Sequence, residues 1–211
     1  MAINVGQTIQ LINNIADVIE KNIEYLTELD SAIGDADHGI NMAKGFKAVR
    51  EKLSGTKANN VGDVLKTVGL TLVSNVGGAA GPIYGTAFMK GAIAANKEEV
   101  DMEDFINILK NAVEGIKMRG KGRRGEKTII DSLEPALEAL IRGKEENLDN
   151  MVILENMRDE ALKGVEYTKG IIATKGRASY LGERSLGHQD PGATSCYLML
   201  NEVYNFLAKD N

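Results

Sequence analysis

Three aspartates, a histidine and two glycines fall between Asp30 and Gly39, inside the stretch LDSAIGDADHGINMAKGF. If the carboxylates of Asp30, Asp35 and Asp37 converge on one bend, each resists ionisation as its neighbours charge. A hard divalent cation removes the conflict. Magnesium takes oxygen ligands in an octahedron and keeps positions for water or phosphate. A structural reading competes: Asp37 caps the following helix, Asp35 stabilises a turn, and Asp30 faces solvent. A calcium EF-hand is excluded, because counting from Asp35 puts Phe46 where that loop needs its bidentate glutamate. His38 could contact a phosphate or a ribose, or serve only as a local hydrogen-bonding residue. Neither His38 nor His188 is close in sequence to a Ser or Cys with a third orienting group, so no nucleophilic triad is expected.

Anion-binding chemistry has three further candidates. SNVGGAAGPIYGT carries Gly77, Gly78 and Gly81, which let backbone amides approach a phosphate, although on its own a glycine run before a proline is more often close helix packing. GKGRRGEKT resembles a P-loop, but Glu126 separates Gly125 from Lys127 and no strand precedes it, so that assignment fails. Its Lys and Arg residues still form a positive patch, either simply solvated or assisting a phosphate. In the last polar stretch Arg177 offers a planar fork for phosphate, and HQDPGATS sets Asp190, Pro191 and Gly192 directly before the final helix. The plain alternative makes Asp190 or Thr194 a helix cap and leaves Arg177 in water.

These loops need helices to hold them. Ile9, Ile12, Ile15, Ile19, Ile23 and Leu26 recur every three or four positions, which predicts a first helix ending near Leu29. Met42, Phe46, Val49 and Leu53 repeat the pattern, as do Val61 to Leu72, a helix opening near Pro82, Phe105 to Ile116, Ile129 to Ile141, Met151 to about Ala173, and Thr194 to Leu207. The expectation is an all-α fold of about eight helices, with no convincing strand and with the glycine clusters between helices. The 211 residues, 43% of them hydrophobic, suit one large domain spanning 1–211. A net charge of -5 argues against a general nucleic-acid surface. One cysteine, Cys196, supplies neither a disulfide framework nor a thiolate cage. With no basic leader and no apolar run near the ~18 residues of a membrane span, a soluble, cytoplasmic protein is expected.

Taken together, LDSAIGDADHGINMAKGF, VGGAAGPIYGT, RGKGRRGEKT and KGRASYLGERSLGHQDPGATS resemble the nucleotide-binding L subunit of dihydroxyacetone kinase, in order and spacing over nearly the whole chain. The resemblance implies a closed antiparallel barrel or bundle of eight helices with the nucleotide at one rim. It implies that Asp30, Asp35 and Asp37 bind magnesium, usually two ions, and that ADP or ATP adjoins His38, Gly39, Ile40, Asn41, Ala79, Ala80, Gly120, Ile129, Arg177, Asp190, Pro191 and Gly192. Lys127 and Thr128 would flank that pocket. Two positions depart from the family pattern: Ala80 stands where Ser is frequent, and Ile129 where Met is frequent. Losing that hydroxyl removes a hydrogen bond of roughly 0.5–1.5 kcal/mol, while the backbone N–H remains.

The family's chemistry is phosphoryl transfer, in which positioning and electrostatics do most of the work and Asp30, Asp35, Asp37 and Arg177 would carry it. The acceptor, dihydroxyacetone, would be held on a K subunit, so no general base is required of this chain. The length of a lone domain matches L subunits in phosphotransferase-fed systems, where bound ADP is a coenzyme rephosphorylated by a phosphohistidine of an M subunit. Rival readings are an L-type subunit exchanging free ATP or serving another acceptor, and a nucleotide-state sensor that contacts a transcriptional regulator.

Overall fold

The structure, a computed structural model, describes residues 2–209. Its elements in chain order are β1 (Ala2–Asn4), α1 (Val5–Lys21), α2 (Ile23–Ile33), α3 (His38–Ser54), α4 (Val61–Asn75), α5 (Ala80–Gly91), β2 (Glu99–Asp101), α6 (Met102–Gly120), α7 (Ile130–Glu145), α8 (Asn150–Lys169) and α9 (Pro191–Ala208), with short 3-10 segments at Ala92–Ala95 and Arg177–Ser185. The fold is all-α. None of the described helices is long and apolar enough to cross a membrane.

Nine α-helices stand among the described residues where the periodicity counts about eight, because the first expected helix is two. At Asn22 the backbone opens to φ -108°, its amide bonds Ile19 O at 3.1 Å, and its side-chain amide takes Val18 O at 2.8 Å. A short amide side chain competing for a helix carbonyl interrupts the ladder without disturbing the apolar spacing, so the stripe reads straight through the break. The second of these helices also runs on to Ile33, past the expected end near Leu29. The strands are a second correction. β1 and β2 pair antiparallel with Ile3 opposite Val100, and three residues each are too few to display alternation.

The chain forms two compact units, one from the residues up to Asp17 with Asn41–Lys121, the other from Val18–Ile40 with the residues from Gly122 onward. In the first, α4 packs on α5 and α5 on α6, and Val61, Leu65, Ala95 and Val100 form a buried cluster with Ile3, Phe88 and Ile108 against it. Glycines inside the helices allow α4 and α5 to approach closely: a Cβ on Gly69 would lie 2.7 Å from Gly85 O, and one on Gly85 2.7 Å from Gly69 O. Glycine is therefore a packing residue within helices here, and not only the loop residue the clusters suggest. Asp101 and Asp104 exchange reciprocal side-chain to backbone bonds that start α6.

In the second unit α8 packs against both α7 and α9, and α2 touches α9 and the 3-10 segment at Arg177–Ser185. Ile33, Ala173 and Ala178 form a buried cluster with Leu181 beside it. Ile130, Leu140, Ile153, Leu154 and Met157 are almost wholly buried, each contributing about 1.5–3 kcal/mol. α8 stops at Lys169, short of the expected Ala173.

Candidate functional site

The acidic residues lie in the second unit, and Asp30 is not on the bend itself. It occupies the last turn of α2, where it is 8% exposed, and its Oδ2 accepts the amides of Asp37 at 2.9 Å and His38 at 3.1 Å. Asp30 therefore caps the start of α3 from outside, the duty the structural reading gives Asp37, and it does not face solvent. A charged acceptor on the first amides of a helix is favourable both as a hydrogen bond and against the helix dipole. Asp35 and Asp37 project from the bend between the helices, with Ala36 held between them at φ 61°. A left-handed alanine costs about 1–2 kcal/mol. One ligand oxygen from each of Asp30, Asp35 and Asp37 falls within 4.8 Å of the others. That donor set, all oxygen and anionic, fits a hard divalent cation.

Arg177 opens the 3-10 segment, and its guanidinium lies 2.9 Å from Asp35 Oδ2 with the side chain 62% exposed. It is a partly hydrated cation beside the acidic corner, with donors to spare. His38 begins α3 and is buried, with Nε2 2.8 Å from Ser195 Oγ on α9. Burial pushes its pKa down to about 4, against the opposing pull of Asp30. Gly39 packs so closely on α2 that a Cβ would lie 2.2 Å from Ile23 O. Ile40 is 57% exposed.

Asp190 caps α9 by accepting the Ala193 amide at 2.7 Å, Pro191 sits in the first turn, and a Cβ on Gly192 would be 3.7 Å from Ile129 N. The 190–192 turn and the start of α7 are thus neighbours. Burial pushes the Asp190 carboxyl up to about 7; the Ala193 amide and the Lys127 ammonium pull it down, and Asp131 and Asp30 push it further up. Lys127 does not belong to a solvated patch. It is 1% exposed, its ammonium donates to Thr168 O at 2.6 Å and Ile171 O at 3.3 Å, and desolvation lowers its pKa against Asp190 and Asp131. Those carbonyls lie at and beyond the end of α8, so the lysine binds the chain where that helix stops. Around it, Arg124 pairs with Glu138 at 3.1 Å and Arg123 with Glu126 at 3.8 Å. The next residue, Thr128, gives its amide to Asp131 Oδ2 at 2.7 Å.

The first unit holds the remaining residues. Asn41 lies against the Gly77 loop, where a Cβ on Gly77 would be 2.9 Å from Asn41 Oδ1; Ala79 and Ala80 start α5, and Gly120 ends α6 beside Ile83. Three buried contributors escape the sequence reading. Ser195 holds His38, Thr168 accepts the Asp190 amide at 3.0 Å, and Gln189 donates to Tyr25 and Thr194 at 2.9 and 2.8 Å. Gln189 and Ser195 flank the turn in sequence, and only the fold brings Thr168 to it from α8.

An all-α protein with three carboxylate oxygens and an arginine at one interhelical corner has a donor set that fits a hard cation. More particularly, residues 32–205 match the DAK2 domain model, and the chain belongs to that family. It is 42% identical over 201 residues to the ADP-binding subunit DhaL of the PEP-dependent dihydroxyacetone kinase of Escherichia coli (strain K12), covering 95% of this chain and 96% of that one. It is 39% identical over 206 residues to the ADP-binding subunit DhaL of the PTS-dependent dihydroxyacetone kinase of Lactococcus lactis subsp. lactis (strain IL1403), covering 98% and 100%. Among solved structures, the dihydroxyacetone kinase from C. freundii in complex with AMP-PNP and Mg2+ superposes with a TM-score of 0.71 at 20% identity, over 97% of this chain and 34% of that longer one. At that identity the likeness is one of fold.

Proposed function

We propose that this chain is the ADP-binding subunit of a phosphoenolpyruvate-fed dihydroxyacetone kinase, a cytoplasmic protein using ADP as a retained coenzyme across a single domain spanning 1–211. The observation that carries the reading is the corner of Asp30, Asp35 and Asp37 beside Arg177, in a chain that matches two such subunits over nearly their whole length. The three aspartates would hold magnesium, two ions on the family pattern. When bound, magnesium and ADP together supply a phosphoryl carrier whose negative charge is screened by the metal.

The chain's own residues do the rest. Asp30 fixes the bend by taking the amides of Asp37 and His38, which leaves Asp35 and Asp37 to project from it. Arg177 offers its fork to phosphoryl oxygens, where charge develops during transfer. The turn Asp190–Pro191–Gly192 and Ile129 form one wall for the nucleotide, with His38, Gly39 and Ile40 beside the acidic corner. Asn41, Ala79, Ala80 and Gly120 of the first unit remain nucleotide contacts on the strength of the resemblance. The acceptor is presented by a K-type subunit carrying dihydroxyacetone, and an M-type phosphohistidine protein returns the phosphoryl group.

The test is reconstitution. The purified chain, mixed with a K-type subunit, an M-type subunit and its phosphoenolpyruvate-driven phosphohistidine donor, is expected to phosphorylate dihydroxyacetone with no added nucleotide. Turnover only when free ATP is supplied in step with product would contradict the coenzyme reading.

A further inference from the structure

The connection from the end of α8 to the start of α9 carries Arg177, and three bonds close its neck. The Asp190 amide reaches Thr168 Oγ1 at 3.0 Å, the Gly187 amide reaches Lys169 O at 2.8 Å, and the Ala173 amide reaches Ser185 Oγ at 2.9 Å. The last is the innermost, so Ser185 closes the loop in which Arg177 lies. Ser185 is wholly buried; its one proton goes to Gly182 O at 2.6 Å while a lone pair takes the Ala173 amide. Gly182 stands at φ 56° and ψ -127°, where the 3-10 segment kinks, so the same hydroxyl holds a reversal that only glycine adopts readily. A surface loop whose ends meet and whose own side chains pack inside it has a defined shape.

Arg177 needs that shape. Its side chain is 62% exposed and its guanidinium meets Asp35 at 2.9 Å, and an exposed ion pair does little to fix a long side chain. Its place beside the acidic corner is set by its backbone. Ala173, Ala178 and Leu181 cluster with Ile33, two residues before Asp35 in the chain, which brings the segment against the end of α2. Apolar packing is non-directional, so it sets closeness and not orientation. The two bonds of Ser185 set where the segment turns.

We infer that Ser185 is a positioning residue for phosphoryl transfer: by tying Ala173 to Gly182 it holds the segment that aims Arg177 at the acidic corner. The inference rests on the role given to Arg177 above and names a group through which that role is secured. Ser185 is buried beneath the segment and acts only through the arginine. Misplacing a group at the reacting centre by about 1 Å costs up to about a hundredfold in rate.

The test is a double-mutant cycle of Ser185→Ala and Arg177→Ala on the full chain, reading single-turnover transfer to a dihydroxyacetone-loaded partner subunit and the magnesium-dependent ADP Kd. Ser185→Ala is expected to slow transfer by about tenfold to a hundredfold with the Kd within about threefold of wild type, and to slow it no further once Arg177 is absent. Transfer at the wild-type rate would overturn the inference. So would losses that multiply in the double variant, or an ADP affinity that falls in step with the rate, since either describes a residue that supports the site at large. If Ser185→Ala does not fold, Gly182→Ala carries the same cycle with the same deciding outcomes: a Cβ there meets nothing within 4 Å, so the change strains only the backbone reversal. Hydrogen exchange of the ligand-free chain reads the clip without any nucleotide. Ser185→Ala should speed exchange of the Ala173 amide while α7 stays protected, and unchanged exchange would overturn the inference. Wild-type transfer by Arg177→Ala would instead strike the role given to the arginine, and exchange would still decide whether Ser185 holds its segment.

Discussion

Asp30 and His38 are bound to each other through the backbone: the carboxylate at the end of α2 receives the amide that starts α3, at 3.1 Å, together with that of Asp37 at 2.9 Å. The residue that would be a metal ligand is also the clamp that sets the bend. The aspartates should therefore separate by experiment. Asp30→Ala leaves two amides unpaired and is expected to lower unfolding free energy by about 1–3 kcal/mol, magnesium present or not. Asp35→Ala and Asp37→Ala should stay within about 0.5 kcal/mol of wild type without ligand. Urea unfolding of the three variants in chelator checks the contrast; equal losses would give all three the same structural role.

Ala36 provides a second handle on the same bend. Its φ of 61° is natural for glycine and costly for alanine. Ala36→Gly is expected to stabilise the ligand-free chain by up to about 1 kcal/mol while widening the freedom of the two flanking carboxylates. Thermal unfolding and magnesium-dependent ADP affinity, measured side by side, should move in opposite directions.

The pair Arg177–Asp35 is largely exposed, and such pairs contribute about 0–1 kcal/mol. Arg177→Ala should accordingly lower the melting temperature by no more than about 4 °C and slow phosphoryl transfer by about tenfold to a thousandfold. Single-turnover transfer to a dihydroxyacetone-loaded partner reads it. A stability loss with normal transfer would make the arginine structural.

Asp190 gives a pH signature. Burial holds its carboxyl up to about 7, so between its usual 3.8 and 7 the folded chain keeps a proton that the unfolded chain releases. Stability from this group is therefore full at low pH and is lost as pH rises through that window. Asp190→Asn keeps an acceptor for the Ala193 amide and cannot ionise. Its stability relative to wild type should climb by about 2–4 kcal/mol from pH 4 to pH 7.5 and then level off, as read by denaturant midpoints across pH.

Much of the scaffold was readable in advance because its signal is repetitive. Met42, Phe46, Val49 and Leu53 recur at helical spacing and all four are buried. Local conflicts were harder to see. Asn22 interrupts a helix whose apolar stripe continues unbroken, and Ile3 pairs with Val100 in strands too short to have a pattern. At the site, Asp35 and Asp37 stand out because charge is conspicuous at a bend, whereas nothing local marks Asp30 as buried. Lys127 looks like part of a solvated basic run, yet its ammonium is taken by carbonyls more than forty residues away in sequence, which no local window reports. Ser195 is one ordinary hydroxyl on a helix until His38 is folded against it.

The acidic corner of Asp30, Asp35 and Asp37 would grip a divalent cation that in turn secures the nucleotide. Calorimetric titration of the chain with ADP, first in magnesium and then in excess chelator, addresses this directly. Stoichiometric binding in magnesium that disappears with chelator and in Asp35→Ala is the expected result; equal ADP affinity with and without magnesium would contradict it.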